Sequence, residues 1–204
     1  KNQLMVNIGT SVSPSWQTIV FSSGWNLTGN SNINPANNFL GTSDNQPLRF
    51  RINNKWAGEY NGSSKNYFIG DSAGVAITIG YNNVGIGSRA LFRNDAGYNQ
   101  VAIGDSALYN AQGPVYYNTA VGSKALFTNS TGTANTAVGS LALYFNTSGY
   151  NNTATGQAAL YRNTTGYGNT AMGISVLDAN TTGYANAAFG YATLFHNTTG
   201  IRNT

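Results

Sequence analysis

Residues 135–151 read N-T-A-V-G-S-L-A-L-Y-F-N-T-S-G-Y-N, and residues 152–168 repeat them as N-T-A-T-G-Q-A-A-L-Y-R-N-T-T-G-Y-G. The frame extends outward in both directions. Gly70, Gly87, Gly104, Gly122, Gly139, Gly156, Gly173 and Gly190 are spaced 17, 17, 18, 17, 17, 17 and 17 apart. Leu91, Leu108, Leu126, Leu143, Leu160, Leu177 and Leu194 keep the same beat, and Gly97, Gly132, Gly149, Gly166, Gly183 and Gly200 form a second glycine row. A unit of this size cannot bury a core alone and must stack on its neighbours, so the period predicts a solenoid.

The local chemistry selects β-coils. Each unit has two glycines and Asn/Thr clusters, which leave no uninterrupted stretch of helix formers. T-A-V-G reads as a short strand ending at a glycine corner, A-L-x-x-N as a second extended stretch, and N-T-T-G as a return turn. The 18-residue unit carries its extra residue around Gly113-Pro114, where an insertion least disturbs the ladders. The expected fold is an all-β parallel β-solenoid of eight coils over residues 66–204, cut at the start of a ninth, so that the chain reads as a segment of something longer. The column Ile86, Ile103, Val121, Val138, Met172 and Phe189, with the leucines, is expected to fill the interior. Thr155 interrupts it. Ala102, Ala120, Ala137, Ala154, Ala171 and Ala188 mark a close approach of walls or chains. About two large aliphatics per coil make a small core, and self-association into a homotrimer would supply a further buried face.

Residues 1–65 lack the period and are expected to form a small β-rich domain that caps or connects the rod. They hold Trp16, Trp25 and Trp56 and three of the four prolines. Thr18-Ile19-Val20-Phe21 is β-favouring, and Leu48-Arg49-Phe50-Arg51-Ile52 alternates as a half-buried strand. Asn53-Asn54 tolerates the positive φ of a tight hairpin turn, with Lys55 onward returning. The stretch 28–38 reads as loop.

Composition narrows the function classes. Charged residues are 8% of the 204, aromatics are 12% and placed in register, and cysteine is absent. The aromatics argue against disorder, and no apolar run is long enough to span a bilayer as a helix. The formal charge of +4 is dispersed; the pair Arg49 and Arg51 reads as a solvated strand face, so neither nucleic acid nor membrane insertion is expected. His196 is the lone histidine and sits at a variable position. Asp44, Glu59, Asp71, Asp95, Asp105 and Asp178 are scattered without an evident glycosidase pair. No phosphate loop, zinc cluster or periodic calcium-binding aspartate occurs. The expectation is a non-enzyme without metal or cofactor.

The columns carry what functional signal there is. Asn94, Asn129, Asn146, Asn163, Asn180 and Asn197 form a corner ladder. Phe92, Tyr109, Phe127, Tyr144, Tyr161 and Phe195 follow the leucines and are expected to face outward, offering ring faces to a sugar, or simply stabilising the coil pairs. Tyr98, Tyr150, Tyr167 and Tyr184 form a second aromatic column behind the turn glycines. The corner row Thr147, Thr164, Thr181 and Thr198 raises ice binding as an alternative.

The repeats, best seen as Asn135-Thr136-Ala137-Val138-Gly139 and Ala159-Leu160-Tyr161-Arg162-Asn163-Thr164-Thr165-Gly166, resemble those of bacterial and phage tail-fibre proteins. The V-A-I-G-x-x-A form from Val101 to Ala107 is similar to head repeats of trimeric autotransporter adhesins. Upstream, Asn38-Phe39-Leu40-Gly41-Thr42 with Gln46-Pro47-Leu48-Arg49-Phe50-Arg51-Ile52-Asn53-Asn54 resembles a segment preceding such repeats in tail-fibre-like proteins. The resemblance implies homotrimers of parallel β-coils, an extracellular, cell-surface or virion location, and attachment to a host-surface glycan or another fibre. It also implies that a self-cleaving C-terminal chaperone domain can follow such a chain. The expected role is a structural and adhesive fibre segment.

Overall fold

The computed structural model describes the strands β1 (Leu4–Asn7) and β2 (Trp16–Ile19), Asn34, Ala36 and residues 39–204. The chain separates into two compact units, Lys1–Gly41 and Thr42–Thr204. In the first unit β1 and β2 pair antiparallel, with Leu4 opposite Ile19. Trp25 and most of the expected loop at 28–38 lie outside the described residues.

In the second unit β3 (Leu48–Ile52) and β4 (Lys55–Asn61) form the expected hairpin. Asn53 and Asn54 both take positive φ, 48° and 58°, as a tight turn that follows strand twist requires. β4 then pairs antiparallel with β5 (Asn66–Ile69), which opens the solenoid. Seven more strands follow in parallel, one per coil: β6 (Val84–Ile86), β7 (Val101–Ile103), β8 (Thr119–Val121), β9 (Thr136–Val138), β10 (Thr153–Thr155), β11 (Thr170–Met172) and β12 (Ala187–Phe189). Hairpin and coils form one ten-stranded sheet, and each coil strand matches the next row for row. The described residues contain no helix.

The second extended stretch expected at A-L-x-x-N is instead a tight turn. Arg89 and Leu91 have φ of 55° and 54°, and the pattern recurs through Ala192 and Leu194. Leucine in this left-handed region costs roughly 1–2 kcal/mol. The compensation is visible in the ladder. The Arg89 N–H donates back to Asp71 O at 2.8 Å, while the Leu91 N–H donates forward to Ala107 O at 3.0 Å. The two left-handed amides thus serve opposite neighbours, so the turn is bonded between coils as the strand is, and each leucine of the periodic column from Leu91 to Leu177 points inward with no exposed surface.

The interior is narrower than its expected filling. Each three-residue strand turns its middle residue inward, so Ala102, Ala120, Ala137, Ala154 and Ala171 are wholly buried. The column Ile86, Ile103, Val138, Met172 and Phe189 faces outward, at 37–61% exposure, and Val121 is half-buried. This reverses the expected phase: alternation cannot bury adjacent strand positions together, and from β7 to β12 alanine takes the inward one.

Two asparagine ladders complete the core. One is the corner column expected from sequence, in which Asn163 Nδ2 donates to Asn146 Oδ1 at 2.8 Å and to Gly166 O at 2.9 Å. The other runs through Asn66, Asn83, Asn118, Asn135, Asn152, Asn169, Asn186 and Asn203. In it Asn152 Nδ2 donates to Gly166 O and Asn135 Oδ1, while Asn152 Oδ1 accepts from the backbone and side-chain N–H groups of Asn169. At the 18-residue coil Ala111 breaks the corner ladder, while Gln100 carries the other one across, its backbone N–H donating to Asn83 Oδ1 at 3.1 Å and its Oε1 accepting from Asn118 Nδ2 at 3.4 Å. The buried Asn94 Nδ2 and Gln100 Nε2 have no partner there.

Candidate functional site

The left-handed leucine sets the aromatic row. With each leucine held inward, the residue after it must leave the core, and the 17-residue period places these rings above one another. Phe92, Tyr109, Phe127, Tyr144 and Tyr161 form an unbroken stack with centroid separations of 5.0, 5.0, 5.2 and 5.4 Å and interplanar angles of 4–27°. All five are half-buried. Each inner ring lies between two others, so its faces are occupied within the row, and the ring edges and phenol hydroxyls border solvent. This differs from the expected display of open faces. Phe145 adds an edge contact to both Tyr144 and Tyr161, at 4.7 and 5.1 Å. The guanidinium of Arg93 lies over the Tyr109 ring, 5.8 Å from its centroid.

Phe195 does not join this stack. Asp178 occupies the intervening row position, and Phe195 instead meets His196 edge to face at 5.0 Å. Asp178 lies 3.7 Å from Arg162 Nε. Its burial raises the carboxyl pKa above the ordinary value, and Arg162 opposes the shift.

The second aromatic column is longer than its glycine spacing indicates. Tyr81, Tyr98 and Tyr116 stack at 5.1 Å each, and Tyr117 meets the edges of Tyr98 and Tyr116. Thr133 interrupts the column, after which Tyr150, Tyr167 and Tyr184 stack at 4.9 and 4.7 Å, nearly parallel. Tyr81 was legible in the dipeptide Gly80-Tyr81, and Tyr116 is displaced from its glycine by the insertion. Partial desolvation first, and the neighbouring Tyr116, Tyr81 and Tyr117 phenols second, raise the Tyr98 pKa.

The flat sheet face carries the third surface. Ile69, Ile86, Ile103, Val121, Val138, Thr155, Met172 and Phe189 lie in register across β5 to β12. Beside them runs the column Val84, Val101, Thr119, Thr136, Thr153, Thr170 and Ala187. Near Ile69 the aliphatic column meets an apolar hollow of about 370 Å³ lined by Phe50, Ile52, Ala57 and Tyr60. The corner threonines are engaged in the ladder, with Thr147 Oγ1 donating to Thr164 O and Thr164 Oγ1 to Thr181 O, both at 3.0 Å.

Among the described residues no group of His, Asp or Glu is arranged to hold a metal ion, and no helix is long and apolar enough to cross a membrane. The arrangement consists of periodic surfaces: two aromatic stacks and one aliphatic face. No family model, curated protein or solved structure matches this chain, so its geometry and sequence pattern carry the functional argument.

Proposed function

We propose that this chain is a segment of a homotrimeric, extracellular fibre that extends from a virion, injection system or cell surface and contributes to attachment. The observation that carries the reading is the outward aliphatic column from Ile69 to Phe189. Seven sizeable apolar side chains in one line, with Phe189 61% exposed, are unusual on a surface meant for water. A second copy of the chain suits this face because it presents side-chain rows at the same coil spacing and can interlock along the whole length. Completing the burial of seven half-exposed side chains contributes roughly 1 kcal/mol each, a gain comparable to the cost of association. Fibre repeats resembling these support the trimer and the attachment role. The aromatic stacks, with their hydroxyl edges outward, offer contact strips to a glycan or another fibre.

Light scattering tests the assembly. The expected mass is three times the 21.5 kDa of the chain, and Ile103→Lys with Val138→Lys should give folded monomers, because both positions face out. A wild-type monomer with full β signal overturns the reading.

A second reading, ice binding, draws on the outward Thr119, Thr136, Thr153 and Thr170, one per coil on a flat sheet. Thermal hysteresis at millimolar protein would favour it.

A further inference from the structure

The hairpin end of the solenoid holds a pocket of about 310 Å³ bounded by β3, β4 and the first coil. That is the small end of the range for ligand sites, ~300–1,000 Å³. Its polar groups have an unusual bonding pattern. Glu59 is buried, at 5% exposure, yet carries a carboxylate. Arg49 donates through Nε to Glu59 Oε2 at 2.7 Å, and Asn61 Nδ2 donates to Oε1 at 3.1 Å. Arg49 therefore meets the carboxylate with one of its five N–H groups, and its side chain remains 55% exposed. Ser64 supplies the second observation: its Oγ is shielded from solvent and has no hydrogen-bond partner. A hydroxyl without a partner is costly, and a turn about the Ser64 Cα–Cβ bond would swing this one toward the pocket that Ser64 lines, where a ligand hydroxyl can meet it. Trp56, also in the wall, is fixed by its indole N–H donating to Ala73 O at 2.9 Å.

The geometry points to a binding site for one residue of a neutral saccharide. Arg49 and Glu59 cancel in charge, and among the described residues they are the only ionisable groups in the wall. An anion would have to lie against Glu59 and a cation against Arg49. A zwitterion would bring its ammonium within reach of Arg49 and its carboxylate within reach of Glu59, so each attraction carries a repulsion beside it. Adjacent hydroxyls avoid both penalties: one donates to a free lone pair of Glu59 while its neighbour accepts from the Arg49 terminal nitrogens, leaving the pair intact. Ser64, which both donates and accepts, takes a third hydroxyl. The Trp56 ring and Ile77 supply apolar wall for the C–H face of a sugar. Any source of such a residue, a host glycan or a free sugar, presents the same chemistry.

This inference rests on the attachment reading for its biological setting, and the pocket is separate from the aromatic stacks. Saturation-transfer NMR and calorimetry with the full chain would use free neutral hexoses, N-acetylhexosamines and the corresponding uronic acids up to 10 mM. At least one neutral sugar should bind, and more tightly than its uronic acid. Ser64→Ala should weaken it about five- to tenfold, the ordinary loss of one buried hydrogen bond, with the β signal unchanged. Glu59→Gln keeps the shape and should weaken it further; should that variant fail to fold, Ser64→Ala alone decides. No binding at 10 mM, a preference for the uronic acid, or affinity unaffected by Ser64→Ala overturns the proposal. A neutral disaccharide of the bound sugar separates the sources: tighter binding indicates a glycan, equal or weaker binding a free sugar. Light scattering on the same samples reports the assembly independently, so a monomer that binds sugar sinks the fibre reading alone, and a trimer that does not sinks this one alone.

Discussion

Replacing Asn152 with alanine tests whether the buried amide ladder, more than apolar burial, holds the coils together. The side chain makes four hydrogen bonds: two donated, to Asn135 Oδ1 and Gly166 O, and two accepted, from the backbone and side chain of Asn169. Not all are lost at equal cost. Gly166 O retains the Asn163 amide, and Asn135 Oδ1 retains the Asn152 backbone N–H. The Asn169 backbone N–H is orphaned inside the protein, and its Nδ2 keeps only the bond to Gly183 O. At ~1–3 kcal/mol for a buried unsatisfied donor, plus a smaller amount for the half-satisfied amide and the void, the expected loss is about 3 kcal/mol. Stacked repeats need not unfold in one step, so urea denaturation followed by circular dichroism should be paired with amide exchange. The Asn169 amide and its coil should lose protection while β5 and β6 keep theirs. Asn152→Asp separates hydrogen bonding from packing. It keeps the acceptor but sets a carboxylate against two carbonyl oxygens, so it should be worse than alanine at neutral pH and recover as acid protonates it. Exposed Gln157→Ala should change stability by less than ~0.5 kcal/mol. A loss below that for Asn152→Ala, or identical behaviour of the alanine and aspartate variants, would refute the ladder argument.

Three further outcomes follow from local geometry. Ala185 sits at φ 56° in a left-handed column that Asn82, Asn99 and Asn151 share with Tyr117, Ala134, Gly168 and Arg202; asparagine tolerates this region better than alanine, so Ala185→Asn should raise stability by roughly 0.5–1 kcal/mol in the same urea experiment. Gly139 has φ 135°, and a Cβ there would meet the Gly156 carbonyl carbon at 2.6 Å, so Gly139→Ala should cost more than ~3 kcal/mol and open the β9 and β10 pairing to exchange. Asp178 has a folded pKa above its unfolded value near 3.8; its favourable share is complete below that value and is lost as pH rises through the folded pKa. Asp178→Asn should therefore gain on wild type as pH climbs from about 3.8, seen as a widening difference in melting temperature, and a constant difference would show that the carboxyl is not the cause.

The coil period, the strand at Thr136 to Val138 with its glycine corner, the buried leucines and the hairpin turn at Asn53-Asn54 were all legible in the sequence. The phase of the strand was not. Three residues contain only half an alternation, and Val138 is more hydrophobic than Ala137, so composition favours burying the wrong one. The structure instead buries Ala137 beside Leu143 and turns Val138 outward. The left-handed leucine was equally hidden, since a γ-branched residue ordinarily avoids that region and only the coil-to-coil bonding makes it tolerable. The Asn66 to Asn203 ladder began every repeat, but the letter N does not distinguish a surface turn from a buried amide. The aromatic rows were visible as rows. Their ring tilt, which decides whether faces or edges meet solvent, depends on 5 Å stacking between coils. The pocket beside Glu59 arises from residues 49–80 folding around one another, and no spacing marks it.

The one-coil-per-repeat ladder also determines how the strand of protein would yield to tension. Each 17-residue coil is bonded only to the coil before and after it, so pulling on the ends removes coils singly from an open edge. Straightened, 17 residues reach about 56–61 Å, against the ~4.8 Å they occupy along the axis. Every rupture therefore lengthens the molecule by about 51–56 Å, more than tenfold its folded extent. The event that releases the 18-residue coil, where Ala111 breaks the corner ladder and the Asn94 and Gln100 amide nitrogens lack partners, should need the least force of any interior step. A tether made this way absorbs a jolt as a series of equal extensions and leaves the unpeeled part intact.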